Sequence, residues 1–150
     1  MRKILLTLTS LFIFLLFFIS CSDDPVTPQE DHYEAEGMVF YQSGIKRAEI
    51  FRGVTTDTLS ADAGVEGPHT EIKFYNSSKQ EMNPPDYKKQ PLAWELADTS
   101  IVQIEQHAGE EGSYEFHLVG KTTGNTDVEF FIMHEGHADF RSGKIPVKVQ

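Results

Sequence analysis

After residue 33 no stretch of this chain sustains a 3.6-residue apolar period with helix caps. Apolar residues fall instead in short alternating or β-branched and aromatic runs, separated by Gly, Pro, Asn, Asp and Ser clusters. Strands are expected near 35–42, 45–52, 57–61, 69–76, 91–96, 100–107, 113–119, 126–134 and 144–150. Several carry one clear apolar face: Ile72/Phe74, Tyr114/Phe116/Leu118, Val128/Phe130/Ile132 and Ile145/Val147/Val149. Residues 77–90 read as one long polar loop with a Pro84-Pro85 stop. Short strands at near-regular spacing over this length predict an all-β chain folded as an antiparallel β-sandwich.

The order of features sharpens the sandwich. Trp94 in Leu92-Ala93-Trp94-Glu95 precedes Asp98-Thr99-Ser100-Ile101-Val102, then Gly120-Lys121-Thr122-Thr123-Gly124-Asn125-Thr126, then a closing Ile145-Pro146-Val147-Lys148-Val149. This series resembles the bacterial immunoglobulin-like domains of group 2, over about residues 64–150. The resemblance implies an immunoglobulin-like sandwich and says little about activity.

The first twenty residues are of another kind. They hold 14 of the chain's apolar residues, and their only charges are Arg2 and Lys3. A basic end followed by the run Ile4 to Ile19 is the build of a secretory signal peptide, slightly short for a retained transmembrane helix. Phe18-Ile19-Ser20-Cys21 resembles the lipobox of bacterial lipoproteins. That resemblance implies cleavage before Cys21, acylation of its thiol, and anchoring in a lipid membrane by two or three chains. Ser22-Asp23-Asp24 resembles the acidic tract of surface-exported lipoproteins of the Bacteroidetes type. Residues 22–32 read as a linker that Pro25 and Pro28 keep extended. The expected organisation is a signal peptide (1–20), a lipidated flexible tether (21–33) and an immunoglobulin-like domain (34–150). The expected location is the bacterial outer membrane, lipid-anchored, on the periplasmic or the outer surface.

With the first twenty residues set aside, 11 basic side chains face 23 acidic ones, a net charge of −12. Such a balance argues against sequence-independent nucleic-acid binding, which depends on neutralising phosphates. Cys21 is the only cysteine, so there is no disulfide framework and no multi-cysteine metal site. There is no nucleophile elbow, phosphate-binding glycine loop or dinucleotide fingerprint, and the expectation is a protein that is not an enzyme.

Six histidines follow residue 31. His107 and His117 lie on the polar faces of their strands and read as solvated. His134 and His137 bracket Glu135-Gly136, and a two-residue hairpin turn there makes them directly opposed, with Cβ atoms about 4.5–5.5 Å apart. In a regular register Asp139 pairs with Ile132 and shares that face. Two histidines and a carboxylate suit Zn²⁺, or Cu²⁺ and Ni²⁺ less selectively. Val128, Phe130 and Ile132 occupy the same face, so the site belongs at the rim of the sandwich. His69, opening a strand after Gly67-Pro68, is the best third histidine; His32 and Glu36 are further candidates where the linker meets the first strand.

Two functional readings stand at this point. In one, a lipid-anchored envelope module binds Zn or Cu through His134, His137, His69 and Asp139. In the other, a structural or adhesive immunoglobulin-like module binds a protein or glycan through its loops, the histidines merely bonding to their neighbours.

Overall fold

The computed structural model describes residues 32–150. The expected signal peptide, Cys21 and nearly all of the tether lie outside the described residues.

Eleven strands appear among the described residues: β1 (Gly37–Gln42), β2 (Ile45–Phe51), β3 (Val54–Thr55), β4 (Leu59–Ala61), β5 (Thr70–Tyr75), β6 (Glu81–Met82), β7 (Leu92–Leu96), β8 (Val102–Glu105), β9 (Glu115–Gly120), β10 (Gly124–His134) and β11 (His137–Val149). They form two sheets. The first runs β3-β2-β1-β5-β9-β8 with β6 paired to β5, and the second runs β4-β11-β10-β7. The all-β class and the antiparallel sandwich are those expected. One pair departs from it: β4 runs parallel to β11, Leu59 opposite Val147. Between β3 and β4 the chain crosses from one sheet to the other instead of turning back, so it arrives in β11's direction.

Alternation within the strands builds the interior. Phe40 and Phe116 of the first sheet meet Phe130 of the second, with ring centroids 5.4 and 5.3 Å from it. All three rings are fully buried, and burial of each contributes about 1.5–3 kcal/mol. Gly120, at the end of β9, sits where a Cβ would lie 2.3 Å from the Asp62 carbonyl oxygen. Only glycine allows the 62–67 segment to lie this close, and that segment hydrogen-bonds along β9 through Gly64 N–H to Gly120 O and Gly67 N–H to Leu118 O, both 2.8 Å.

The last strand departs most from expectation. It begins at His137 and not at 144, and continues the β10 hairpin for thirteen residues. Two irregularities interrupt their ladder. One lies beside Gly143 (φ 79°) and buried Ser142, whose hydroxyl accepts the Phe130 N–H at 2.9 Å. The other shifts the register between Ile132 and Met133, so Met133 faces Ala138 whereas Ile132 faces Phe140. Asp139 is therefore an extra, bulged residue and is not paired with Ile132 as expected. The shift turns Phe140 inward, where its ring meets Phe74 edge-on at 5.5 Å. Burying that ring outweighs one unbroken step of ladder.

Candidate metal centres

The hairpin tip has the geometry its sequence foretells. Glu135 (φ 46°) and Gly136 (φ 86°) are both left-handed, as a type I′ turn requires, and His134 lies opposite His137. Their ring centroids are 5.9 Å apart.

The bulge then delivers Asp139 between them. Its carboxylate is only 1% exposed, with Oδ2 at 3.3 Å from His134 Nδ1 and Oδ1 at 3.1 Å from His137 Nε2. His32 completes the group, its Nδ1 at 2.9 Å from Asp139 Oδ1. Tyr33 brings His32 there. Its hydroxyl donates to Asn83 O at 2.6 Å, its ring packs edge-on against Phe74 at 5.2 Å, and its N–H reaches Asp139 Oδ2 at 3.4 Å. Burial pushes the Tyr33 phenol up to about 12. Gln90 Nε2 adds a further donor to Asp139 Oδ2 at 3.2 Å. One donor atom from each of His32, His134, His137 and Asp139 lies within 4.8 Å of the others.

The electrostatics of this group are unusual. Burial alone would raise the Asp139 carboxyl, but the His32 hydrogen bond, the Tyr33 N–H and the charges of His32 and His134 hold it below its ordinary value. His134 Nδ1 is buried, and its approach to Asp139 is too oblique for a hydrogen bond, so the nitrogen is left unsatisfied. Glu49 provides the contrast. It is nearly as buried, at 8% exposure, but accepts from Lys79 Nζ at 2.7 Å, Lys46 Nζ at 3.0 Å and Tyr75 Oη at 2.8 Å. Glu49 has permanent cations beside it, whereas the ion-pair partners of Asp139 among the described residues are histidines.

His69 does not join this centre. It converges instead on His107 and His117, the two histidines read as solvated. The reason is the pairing around β9. Glu105 of β8 lies opposite His117, so His107, two residues on, reaches the same outer face, while the 64–67 segment beside β9 leads into His69. Ring centroids lie 5.0 Å (His107–His117), 5.2 Å (His69–His117) and 5.9 Å (His69–His107) apart. Glu36, the other candidate near the first strand, pairs with Arg52 at 2.5 Å. Sequence reasoning missed the second trio because its members lie on three separate segments. The shared outward parity of 105, 107 and 117 was the one signal pointing to it.

No family model matches the chain, and no curated protein matches it. Among solved structures it is similar to the S-layer protein SbsC domains 4 and 5, with 12% identity and TM-score 0.42, over 63% of this chain and 47% of that one. It is also similar to domains 5–6 of the same protein, with 12% identity and TM-score 0.43, over 63% of this chain and 40% of that one. The chain thus spans less than half the length of either structure.

Proposed function

We propose that this protein is a lipid-anchored module of the bacterial cell envelope that holds Zn²⁺ or Cu²⁺ at the hairpin end of its sandwich. The ligands are His32, His134, His137 and Asp139; the earlier set is changed by exchanging His69 for His32. One observation carries the reading: a carboxylate 1% exposed is ringed by imidazoles, one of which has a buried, unsatisfied nitrogen. A buried charge of this kind needs compensation, and a cation shared by the carboxylate and the rings supplies it. The spacing also fits. Ligands of a tetrahedral zinc ion lie about 3.3 Å apart for bonds of about 2.0 Å, and the three histidine nitrogens lie 2.9–3.3 Å from the Asp139 oxygens.

Four protein donors fill a tetrahedral ion and leave no position for a substrate, so the reading is capture or storage and not hydrolysis. In this reading the group 2 immunoglobulin-like sandwich is the scaffold, and the acidic chain raises the local cation concentration. Cys21 anchors it to the outer membrane, a part of the reading that rests on the lipobox resemblance.

Titrating the chain with Zn²⁺ and Cu²⁺ against a chromophoric chelator tests the centre. The expected result is that His134→Ala/His137→Ala binds one equivalent of metal fewer than the wild-type chain; no such loss refutes the assignment. For the anchor, Cys21→Ser is expected to move the chain out of the membrane fraction, and unchanged fractionation overturns it.

A further inference from the structure

The outer face of the first sheet carries a second cluster that the hairpin centre does not use. We propose that His69, His107 and His117 form a separate transition-metal site, binding Cu²⁺ or Zn²⁺ through three imidazoles and leaving a fourth position open to water or an incoming ligand. The site stands on its own geometry and is independent of the hairpin centre.

His117 is the best-defined member. Its Nδ1 lies 2.9 Å from the Gly67 carbonyl oxygen, which can only accept, so Nδ1 carries the proton and Nε2 keeps its lone pair. Metal-binding histidines are held in this way, with the far ring nitrogen donating to a carbonyl or carboxylate. His69 is held less firmly: its Nε2 lies 3.1 Å from Glu115 Oε2, an ion-pair contact between two half-exposed side chains. His117 is thus positioned by a hydrogen bond, and His69 by an ion pair, to groups that would form the outer shell of a metal ion. The lone pair of His117 Nε2 is directed at His107 Nε2, 3.3 Å away. Two ring nitrogens at that distance need a proton or a cation between them, and the third ring stands within reach of both.

The ligand set differs from that of the hairpin. Three neutral nitrogens with no carboxylate among them favour Cu²⁺ over Zn²⁺ at equal supply. The rings themselves are as exposed as those of the hairpin, 13% for His117 and 43% for His69 against 16% for His134 and 42% for His32. What differs is that no buried carboxylate closes the set, so an ion held by three rings keeps an exchangeable position. The chemistry is that of a site that takes up and releases metal.

The test is a Cu²⁺ titration of the full-length chain in detergent, followed by stoichiometry and by the nitrogen couplings in the copper EPR spectrum. The wild-type chain is expected to bind two equivalents and His107→Ala/His117→Ala one. In His134→Ala/His137→Ala the remaining copper is expected to show coupling to three imidazole nitrogens. Should the His107/His117 pair fail to fold, Glu115→Gln keeps all three rings and is expected to weaken this equivalent about tenfold. An unchanged stoichiometry in His107→Ala/His117→Ala overturns the site, as does a Glu115→Gln chain with wild-type affinity. The two assignments fail separately. If only the hairpin fails, wild type binds one equivalent, which the His107/His117 pair removes. If only this site fails, the single equivalent is the one lost in His134→Ala/His137→Ala.

Discussion

The hairpin end and the outer face of the first sheet each gather three histidines, but their surroundings are opposite. At the hairpin the rings surround a carboxylate 1% exposed, and Gln90, Tyr33 and His32 all direct donors at it. On the outer face the carboxylates stand at the rim: Glu115 and Glu66 are 48% and 59% exposed beside His69 and His117. Removing the centre of the first cluster leaves buried donors without an acceptor. Removing a member of the second leaves groups that water can still solvate. The buried carboxylate at the hairpin is thus structural, whereas a ring of the outer trio is close to energetically neutral, and burial makes the difference.

The largest effect expected from this contrast is on stability. Asp139→Ala is expected to cost about 2–4 kcal/mol in urea denaturation, because the buried partners it leaves lose their acceptor. His117→Ala is expected to cost less than about 1 kcal/mol. Equal losses for the two variants would break the comparison.

Glu49 sharpens it, as a buried carboxylate that already has cations. The Lys79 hydrogen bond first, opposed by burial and then aided by Lys46 and Tyr75, lowers its pKa from 4.5 to about 2. The folded state therefore binds this proton less readily than the unfolded chain. The stability it contributes is complete above pH 4.5 and is lost as pH falls from there through about 2. Both lysines are half-exposed, so solvent screening limits this to about 1–2 kcal/mol. Urea midpoints measured across that acid range should fall in the wild type and flatten in Glu49→Gln. The same acid slope in both proteins would remove Glu49 from the account.

A smaller effect than those of the two carboxylates is expected at the turn. Gly136 has φ 86° and open space where a Cβ would stand, so Gly136→Ala meets backbone strain alone. It is expected to cost about 1 kcal/mol in thermal or urea unfolding. It is also expected to weaken metal binding at the hairpin while leaving the outer trio unaffected. A parallel loss at both clusters would show that the two are not independent.

How far the site was legible follows from which interactions are local. The turn at Glu135-Gly136 and the opposition of His134 to His137 depend on four consecutive residues. The sequence made the opposition conditional on a two-residue turn there, and the structure has that turn, of type I′. Asp139 was expected on that face through a pairing with Ile132, and it reaches the histidines by a bulge instead. The competing demand was Phe140, whose ring belongs in the core beside Phe74 and which alternation alone would have turned outward. The same local patterning led His107 and His117 to be read one at a time, as solvated residues. Nothing within either strand says that the 64–67 segment lies along β9 and brings His69 beside them.

What the sequence determined by itself is the part governed by near neighbours. That part comprises the two-residue alternation that makes the chain all-β, the left-handed turn at Gly136, the outward face of His117 and the acidic charge. Tertiary structure decided which histidines became neighbours. Alternation assigns a side chain to a face, but it does not say which strand lies alongside, or where a bulge adds a residue to satisfy the core. His32 and Asp139 are 107 positions apart in the chain and 2.9 Å apart in space. Their meeting depends on Tyr33 packing against Phe74 and on Phe140 turning inward, two burials that no local pattern encodes.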